Sequence, residues 1–155
     1  MALEIRAAVE TDVSVLQTLL RNSWLTTWAP EIPFAGVQRF AAEDPAGSYA
    51  RDKWREFIVA DEGGALLGMF HVEGDHLHAI HLDPKHKRRK IGTLLMDEVE
   101  RRIARDHAQA TLEARCFNTG AITFYQQRGW TRRRTYMGTE CGGPCETVEM
   151  VKALR

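Results

Sequence analysis

The segment Ile80–Leu95 reads IHLDPKHKRRKIGTLL and places a block of positive charge directly before a helical pattern. Five fixed cations and one histidine lie between Lys85 and Lys90. Because a helix N-terminus carries a partial positive charge, each cation there costs about 0.3–1 kcal/mol unless an anion binds. First-turn amides, basic side chains and the close backbone approach that Gly92 allows would together bind a phosphate group. The segment therefore predicts a site for a small phosphorylated ligand, with a solvated basic loop as the alternative.

Length and composition limit the other possibilities. The chain has 155 residues, with 21 basic and 21 acidic side chains and a formal net charge of zero. This length predicts one domain spanning residues 1–155. The balanced charge disfavours nucleic acid or an anionic membrane as the partner. Three cysteines, no signal peptide pattern and no long apolar segment predict a cytoplasmic protein.

Outward from this segment, the hydrophobic periodicity alternates between strand and helix patterns. Helices are expected after the first strand, over roughly 34–42, from Ile91 to about Arg105, and over 118–128. The third of these carries an apolar stripe of Leu94, Leu95, Val99 and Ile103. Asp44-Pro45 and Gly47-Ser48 are expected to form a loop. Strands are expected at 3–7, 57–60, 65–72, 76–82, 109–117, 130–139 and 146–154. This order predicts mixed α+β or α/β layers with at least one parallel strand pair after a helical crossover.

The quoted segment resembles the acetyl-CoA motif of GNAT-superfamily N-acetyltransferases. In that motif a strand and a proline-containing turn lead into Gln/Arg-x-x-Gly-x-Gly/Ala and a leucine-rich helix. Lys87 stands at the Gln/Arg position, Lys90 at the first glycine and Gly92 at the second. Lys90 departs from the family pattern, which makes the loop backbone less free or moves part of the pyrophosphate contact onto a side chain.

A second segment resembles the same family. Residues 118–130, NTGAITFYQQRGW, are similar to the family pattern Asn-x-x-Ala/Ser-x-x-Phe-Tyr-x-x-x-Gly-Phe, with Trp130 in the last position. The resemblance implies a GNAT-like α+β fold with α/β/α layers. Its sheet is mixed and mostly antiparallel, with six to seven strands, a splayed central parallel pair and about four helices.

The resemblance also implies which residues hold acetyl-CoA, the co-substrate of the family. The strand end would bond the pantetheine arm and the basic turn would hold the pyrophosphate. Asn118 is commonly placed to bond pantetheine, although it also fits a helix N-cap. The implied cofactor-binding residues are Ile80, His81, Leu82, Lys87, Arg88, Arg89, Lys90, Ile91, Gly92, Thr93, Asn118 and Tyr125.

Catalytic groups are implied in the same way. Tyr125 matches the usual general acid near the thioester sulfur, against the alternative of a half-buried aromatic. His76 and His78 share one face of a strand and are similar to the paired histidines of arylalkylamine N-acetyltransferases, which relay the amine proton. Packing on the sheet or exposure to solvent is the alternative for both histidines, and Glu73 is a further candidate for the base. A metal site at His76, His78 and Cys116 is disfavoured by the spacing, so no metal is expected.

The acceptor side has the weakest sequence signal. Trp24, Trp28 and Phe34 lie where the family builds its acceptor pocket, so they are candidate substrate-binding residues, with the protein core as the alternative. The expected activity is acetyl transfer to a primary amine of a small molecule or peptide. A non-catalytic acyl-CoA sensor is the second interpretation and a nucleic-acid-binding basic loop is the third. Dimers are common in the family, so a homodimer is compatible with the resemblance.

Overall fold

The computed structural model describes residues 2–155, apart from the side chains of residues 87–89. Seven strands form one sheet: β1 Leu3–Ala7, β2 Phe57–Glu62, β3 Ala65–Glu73, β4 His76–Leu82, β5 Gln109–Arg115, β6 Thr131–Glu140 and β7 Gly143–Ala153. Five α-helices accompany it: α1 Val13–Thr27, α2 Phe34–Glu43, α3 Pro45–Lys53, α4 Ile91–Ala104 and α5 Thr119–Gln127.

The sheet has the order β1-β2-β3-β4-β5-β7-β6. Every neighbouring pair is antiparallel except β4 and β5, which run parallel across the crossover made by α4. Gly63 and Gly64 both have positive φ in the turn between β2 and β3, which is why glycines occupy that turn. The predicted mixed, mostly antiparallel sheet is therefore confirmed.

The parallel pair separates along its length. Backbone pairing joins His76 to Thr111 and Leu77 to Leu112, and among the described residues it extends no further along β4 and β5. The carboxyl-terminal halves of these two strands thus diverge. This confirms the predicted splay and opens the sheet beside the start of α4.

Helices cover both faces of the sheet. One core joins α4, α5 and the central strands, and its buried members on α4 are Ile91, Leu95, Met96, Val99 and Ile103. Leu94, which the sequence spacing placed on this buried stripe, is 41% exposed. A second core lies between α1, α3 and β2–β3, centred on Leu16 and Phe57. The predicted α/β/α layers are confirmed.

Helix α3 is the main difference from the sequence-based expectation, which treated residues 44–48 as a loop. Asp44 ends α2 in the left-handed region and its carboxylate accepts a hydrogen bond from the Gly47 amide. Pro45 occupies the first helical turn, where it costs no hydrogen bond. The Asp44-Pro45 pair therefore stops one helix and starts the next. None of the described helices has both the length and the apolar composition needed to cross a membrane.

Candidate active site

A cavity of about 760 Å³ lies where β4 and β5 diverge. Its walls come from β4 and β5, from α5 and the first turn of α4, and from α1, α2 and α3 on the opposite side. The backbone groups in the diverging halves of β4 and β5 are not paired with each other. The gap therefore offers an extended ligand both a channel and free strand hydrogen-bonding groups.

The structure brings half of the predicted coenzyme residues to this cavity. The lining includes Ile80, His81, Leu82, Gly92, Asn118 and Tyr125. The described lining does not include Lys90, Ile91 or Thr93. Ile91 is 2% exposed and packs in the core, so its backbone amide is the group it can offer to a ligand. The predicted contacts of the side chains of Lys87, Arg88 and Arg89 lie outside the described residues.

Lys90 has the backbone conformation that explains the family's preference for glycine. Its φ is 58° and its ψ is 25°, which is the left-handed region. This conformation costs a residue with a Cβ about 1–2 kcal/mol. Lys90 also stands at the N-cap of α4 without a side-chain capping bond, so the first amides of α4 remain available.

Tyr125 presents a proton donor to the cavity. It is 8% exposed and packs against Trp130 and Phe124. Burial raises the pKa of Tyr125 to about 12 because the phenolate would be poorly solvated. The hydroxyl is therefore protonated at neutral pH, which a general acid requires.

Asn118 caps α5. Its Oδ1 accepts a hydrogen bond from the Ala121 amide at 3.3 Å. The same side chain lines the cavity. The N-cap interpretation is thus realised in the structure, and the residue also reaches the place where a pantetheine contact is predicted.

The two candidate β4 histidines occupy different places. His78 lines the cavity, whereas His76 is outside the described lining. Nδ1 of His76 lies 2.8 Å from the Thr111 hydroxyl, at the paired start of β4 and β5. The structure therefore brings His78, and not His76, to the site.

His81 links the coenzyme side to α1. Its Nδ1 lies 2.9 Å from the Ser23 hydroxyl, and its ring packs on Trp28 with centroids 5.5 Å apart. Burial lowers the pKa of His81 to about 4, because the imidazolium would lose its hydration. His81 is therefore neutral at physiological pH and serves as a packed wall of the cavity.

Two of the three candidate acceptor residues lie at the site. Trp24 and Trp28 line the cavity. Trp24 stacks on Phe40 with centroids 3.8 Å apart, so α2 is attached to α1 at this point. Phe34, in contrast, is 74% exposed at the start of α2 and is outside the described lining. The prediction for Phe34 is therefore not supported by its position.

Sequence reasoning missed the charged part of the acceptor wall. Glu140 accepts a hydrogen bond from Trp24 Nε1 at 2.9 Å and pairs with Arg115 at 2.8 Å. Arg115 also donates to the Thr147 hydroxyl at 2.6 Å. Glu113 lines the cavity from β5, and Tyr49 lines it from α3. No local motif marks these residues, because each reaches the cavity through tertiary contacts.

Comparison with known proteins agrees with this geometry. The model of the acetyltransferase (GNAT) domain family matches residues 30–152. The peptidyl-lysine N-acetyltransferase YiaC of Escherichia coli is 41% identical over 73 residues, which is 46% of this chain and 47% of that protein. The uncharacterized protein YdhI of Bacillus subtilis is 31% identical over 88 residues, which is 55% of each chain. The aligned chain thus spans about half the length of these two curated relatives.

A solved structure shares the whole fold. The PaiA N-acetyltransferase of Thermoplasma acidophilum, in complex with coenzyme A, superimposes with a TM-score of 0.79 and 20% identity. The match covers 99% of both chains. Since the family model spans most of the sequence and the splayed sheet is present, the chain belongs to the GNAT acetyltransferase family.

Proposed function

We propose that the protein is an N-acetyltransferase that moves the acetyl group of acetyl-CoA directly to a primary amine of a small molecule or peptide. The observation that carries this proposal is the cavity at the β4–β5 splay, which Tyr125 reaches from one side and Trp24 from the other. Membership of the GNAT family and the coenzyme A bound to the Thermoplasma relative support it. We further propose that residues 1–155 act as one domain in the cytoplasm, and the three free cysteines fit a reducing compartment.

In this proposal the coenzyme enters between β4 and β5. Residues 80–82 pair with β3 on one side, and their backbone groups that face the gap toward β5 bond the pantetheine arm, with Asn118 on the opposite side of the gap. The first amides of α4 and the basic side chains of residues 85–90 hold the pyrophosphate. The amides supply oriented donors, and Gly92 leaves room for the phosphate oxygens beside the helix.

The reaction depends on the alignment of the amine with the thioester, and it needs no covalent enzyme intermediate. The amine nitrogen attacks the thioester carbonyl, and the carbon–sulfur bond then breaks. Tyr125 protonates the departing thiolate, which its intact hydroxyl allows at neutral pH. His78 and His76 remain the sequence-based candidates for the base, and the position of His78 in the cavity favours it over His76.

The acceptor wall suits an amine that carries an apolar or aromatic part. Trp24, Trp28 and Phe40 provide the apolar surface. Glu113 and Glu140 contribute two carboxylates against the single guanidinium of Arg115, which favours a cationic ammonium group. A lysine side chain, the acceptor that the name of the Escherichia coli relative states, is one member of this class.

The test is a calorimetric titration with acetyl-CoA followed by a thiol-release assay over a panel of amines. We expect binding below the millimolar range and thiol release that depends on the amine. Tyr125→Phe keeps the aromatic packing and removes the hydroxyl, so turnover should fall about 100-fold while the Kd for acetyl-CoA stays nearly unchanged. Binding without thiol release for any amine would instead indicate an acyl-CoA sensor.

A further inference from the structure

A buried histidine connects the cavity to the protein surface. His71 on β3 is fully buried, and its Nδ1 lies 2.6 Å from the hydroxyl of Tyr49, a cavity-lining residue. Its Nε2 lies 2.9 Å from Glu56 Oε2 and 3.2 Å from Glu73 Oε1. The side chains of Glu56 and Glu73 are about half exposed. A continuous series of polar contacts therefore runs from the cavity through His71 to solvent.

Burial favours a neutral His71 ring, which is the form that can accept a proton. Burial lowers the pKa of His71, and the nearby His78 lowers it further, while Glu56 and Glu73 oppose both effects. Burial, helped by the two glutamates, raises the pKa of Tyr49, so its hydroxyl keeps its proton. Because Nε2 faces two carboxylates, we assign the ring proton to Nε2 and the lone pair to Nδ1, opposite Tyr49.

The carboxylates are placed to stabilise a positive ring. Neither oxygen is aligned with Nε2 well enough to form a hydrogen bond, although both are within hydrogen-bonding distance. A buried polar atom left in this state is costly. Protonation of Nδ1 would turn the ring into an imidazolium beside two carboxylates, and this attraction offsets the desolvation of the ring. The order of groups, a hydroxyl, a histidine and a carboxylate, is that of a catalytic triad, in which the carboxylate stabilises the charged histidine.

We propose that Tyr49 takes the proton from the acceptor ammonium group while His71 Nδ1 takes the proton of Tyr49. Tyr49 is then a catalytic residue, and His71, Glu56 and Glu73 are positioning residues that act through it. This inference rests on the proposed acetyl transfer. It assigns the base to α3 and β3, where the sequence had indicated the histidines of β4.

The protons balance over the cycle. The ammonium nitrogen loses one proton to Tyr49 and becomes nucleophilic, and His71 becomes an imidazolium. The nitrogen–carbon bond then forms and the carbon–sulfur bond breaks, while Tyr125 gives its proton to the thiolate and regains one from the amide nitrogen. When the product leaves, His71 returns its Nδ1 proton through Tyr49 to water in the emptied cavity.

His78 has a different role in this scheme. Its ring centroid lies 4.9 Å from that of His71 and 5.7 Å from that of Tyr49. A proton on His78 would repel both the ammonium group and the imidazolium of His71. His78 is thus expected to form part of the cavity wall rather than to act as the base.

The decisive variant is Tyr49→Phe, which keeps the ring contacts with Phe57 and His71. We expect kcat to fall about 100-fold. The Kd for acetyl-CoA and the KM for the amine should change less than about threefold, because phenylalanine keeps the aromatic ring in the cavity wall. The pH profile should also change: the variant depends on free amine in solution, so its kcat/KM should rise about tenfold per pH unit up to the pKa of the amine.

A second set of variants avoids any change in the core. Glu56→Gln and Glu73→Gln alter half-exposed side chains and remove one carboxylate each from His71. Each should lower kcat about threefold to tenfold and shift the acid limb of the pH profile to lower pH, because each carboxylate raises the pKa of His71 and the neutral ring is the form that accepts the proton. Glu10→Gln, at an exposed position before α1, is the matched control and should leave both unchanged.

The outcomes separate this inference from the proposed function. An inactive wild-type protein with every amine contradicts both. An active wild type together with Tyr49→Phe of unchanged rate and pH profile contradicts the inference alone. A changed pH profile in His78→Gln, together with an unchanged pH profile in Tyr49→Phe, would assign the base to β4 instead. A rate that responds to EDTA or added zinc would also contradict it, because His71, Glu73 and His78 offer ligand atoms within 4.8 Å of one another.

Discussion

The two sides of the cavity are built in opposite ways. The coenzyme side comes from two contiguous stretches, one from the end of β4 to the start of α4 and one from Asn118 to Tyr125. The acceptor side is joined by long-range contacts: Trp24 and Glu140 are 116 residues apart in sequence, and Ser23 and His81 are 58 apart. A local motif can therefore specify the first side, and only the tertiary structure can specify the second. Substitutions on the two sides should accordingly affect different steps.

His81 connects the two sides and should carry the largest stability effect. Its folded pKa of about 4 lies below the ordinary value near 6.5, so the unfolded chain binds more protons between these pH values. Stability should therefore fall as pH drops from 7 to 5, by about 1–2 kcal/mol from this group. Urea unfolding of His81→Gln should show a smaller drop, because the amide can still contact Ser23 without titrating.

The matched control for that experiment is His107→Gln, which alters a histidine outside both cavity walls. Burial lowers the pKa of His71 as well, so part of the pH dependence remains in His81→Gln. An identical drop in the wild type and His81→Gln would contradict the assignment.

Gly92→Ala tests the coenzyme side. The new Cβ would lie 3.4 Å from Leu82 Cδ1 and 3.8 Å from Phe124 Cζ, which are ordinary contacts. Alanine also favours a helix over glycine, so the fold should be no less stable. We expect about tenfold weaker binding of acetyl-CoA, since a methyl group would stand where the backbone meets phosphate. Calorimetry measures the affinity, and thermal unfolding checks the fold; unchanged affinity would place the phosphates elsewhere.

Glu140→Gln tests the acceptor side. The glutamine can still accept a hydrogen bond from Trp24, but it leaves Arg115 without its charge partner on the cavity wall. We expect the KM for a cationic amine to rise about fivefold, because charged contacts of this kind are worth about 1 kcal/mol. The Kd for acetyl-CoA should stay the same. Equal losses for amine and coenzyme would show that the two sides are not independent.

Lys90→Gly carries the smallest expected effect. Glycine relieves the left-handed strain at the N-cap of α4 but makes the unfolded chain more flexible. The net gain in the free energy of unfolding should be about 0.5–1 kcal/mol. The control is Lys53→Gly, whose φ of −121° needs no glycine and which should lose stability. A loss in Lys90→Gly as well would show that the lysine side chain contributes stabilising contacts.

The sequence predicted the fold well because its signals are local. Alternation and helical spacing predicted the order of strands and helices along the chain, and the resemblance carried by the motif around Gly92 implied the splayed pair. Asp44-Pro45 looked like a loop because both residues favour turns, yet together they end α2 and cap α3. That error hid Tyr49, which α3 brings to the cavity.

The sequence predicted only part of the candidate site, because only part of the site belongs to local motifs. Tyr125, Asn118 and residues 80–82 belong to contiguous motifs and lie at the cavity. His76 and Phe34 were chosen from spacing and residue type, and tertiary packing places both outside the described lining. Glu140 and His71 reach their partners through pairs distant in sequence, so no window of residues reveals them.

The central claim is that the cavity at the strand splay holds acetyl-CoA and an amine at the same time. Its most direct test follows thiol release from acetyl-CoA with a panel of primary amines, using the wild type, Gly92→Ala and Glu140→Gln. We expect amine-dependent release, a raised KM for acetyl-CoA in Gly92→Ala, and a raised KM for the amine in Glu140→Gln. Absence of amine-dependent release by the wild type, at saturating acetyl-CoA and over the whole panel, would contradict it.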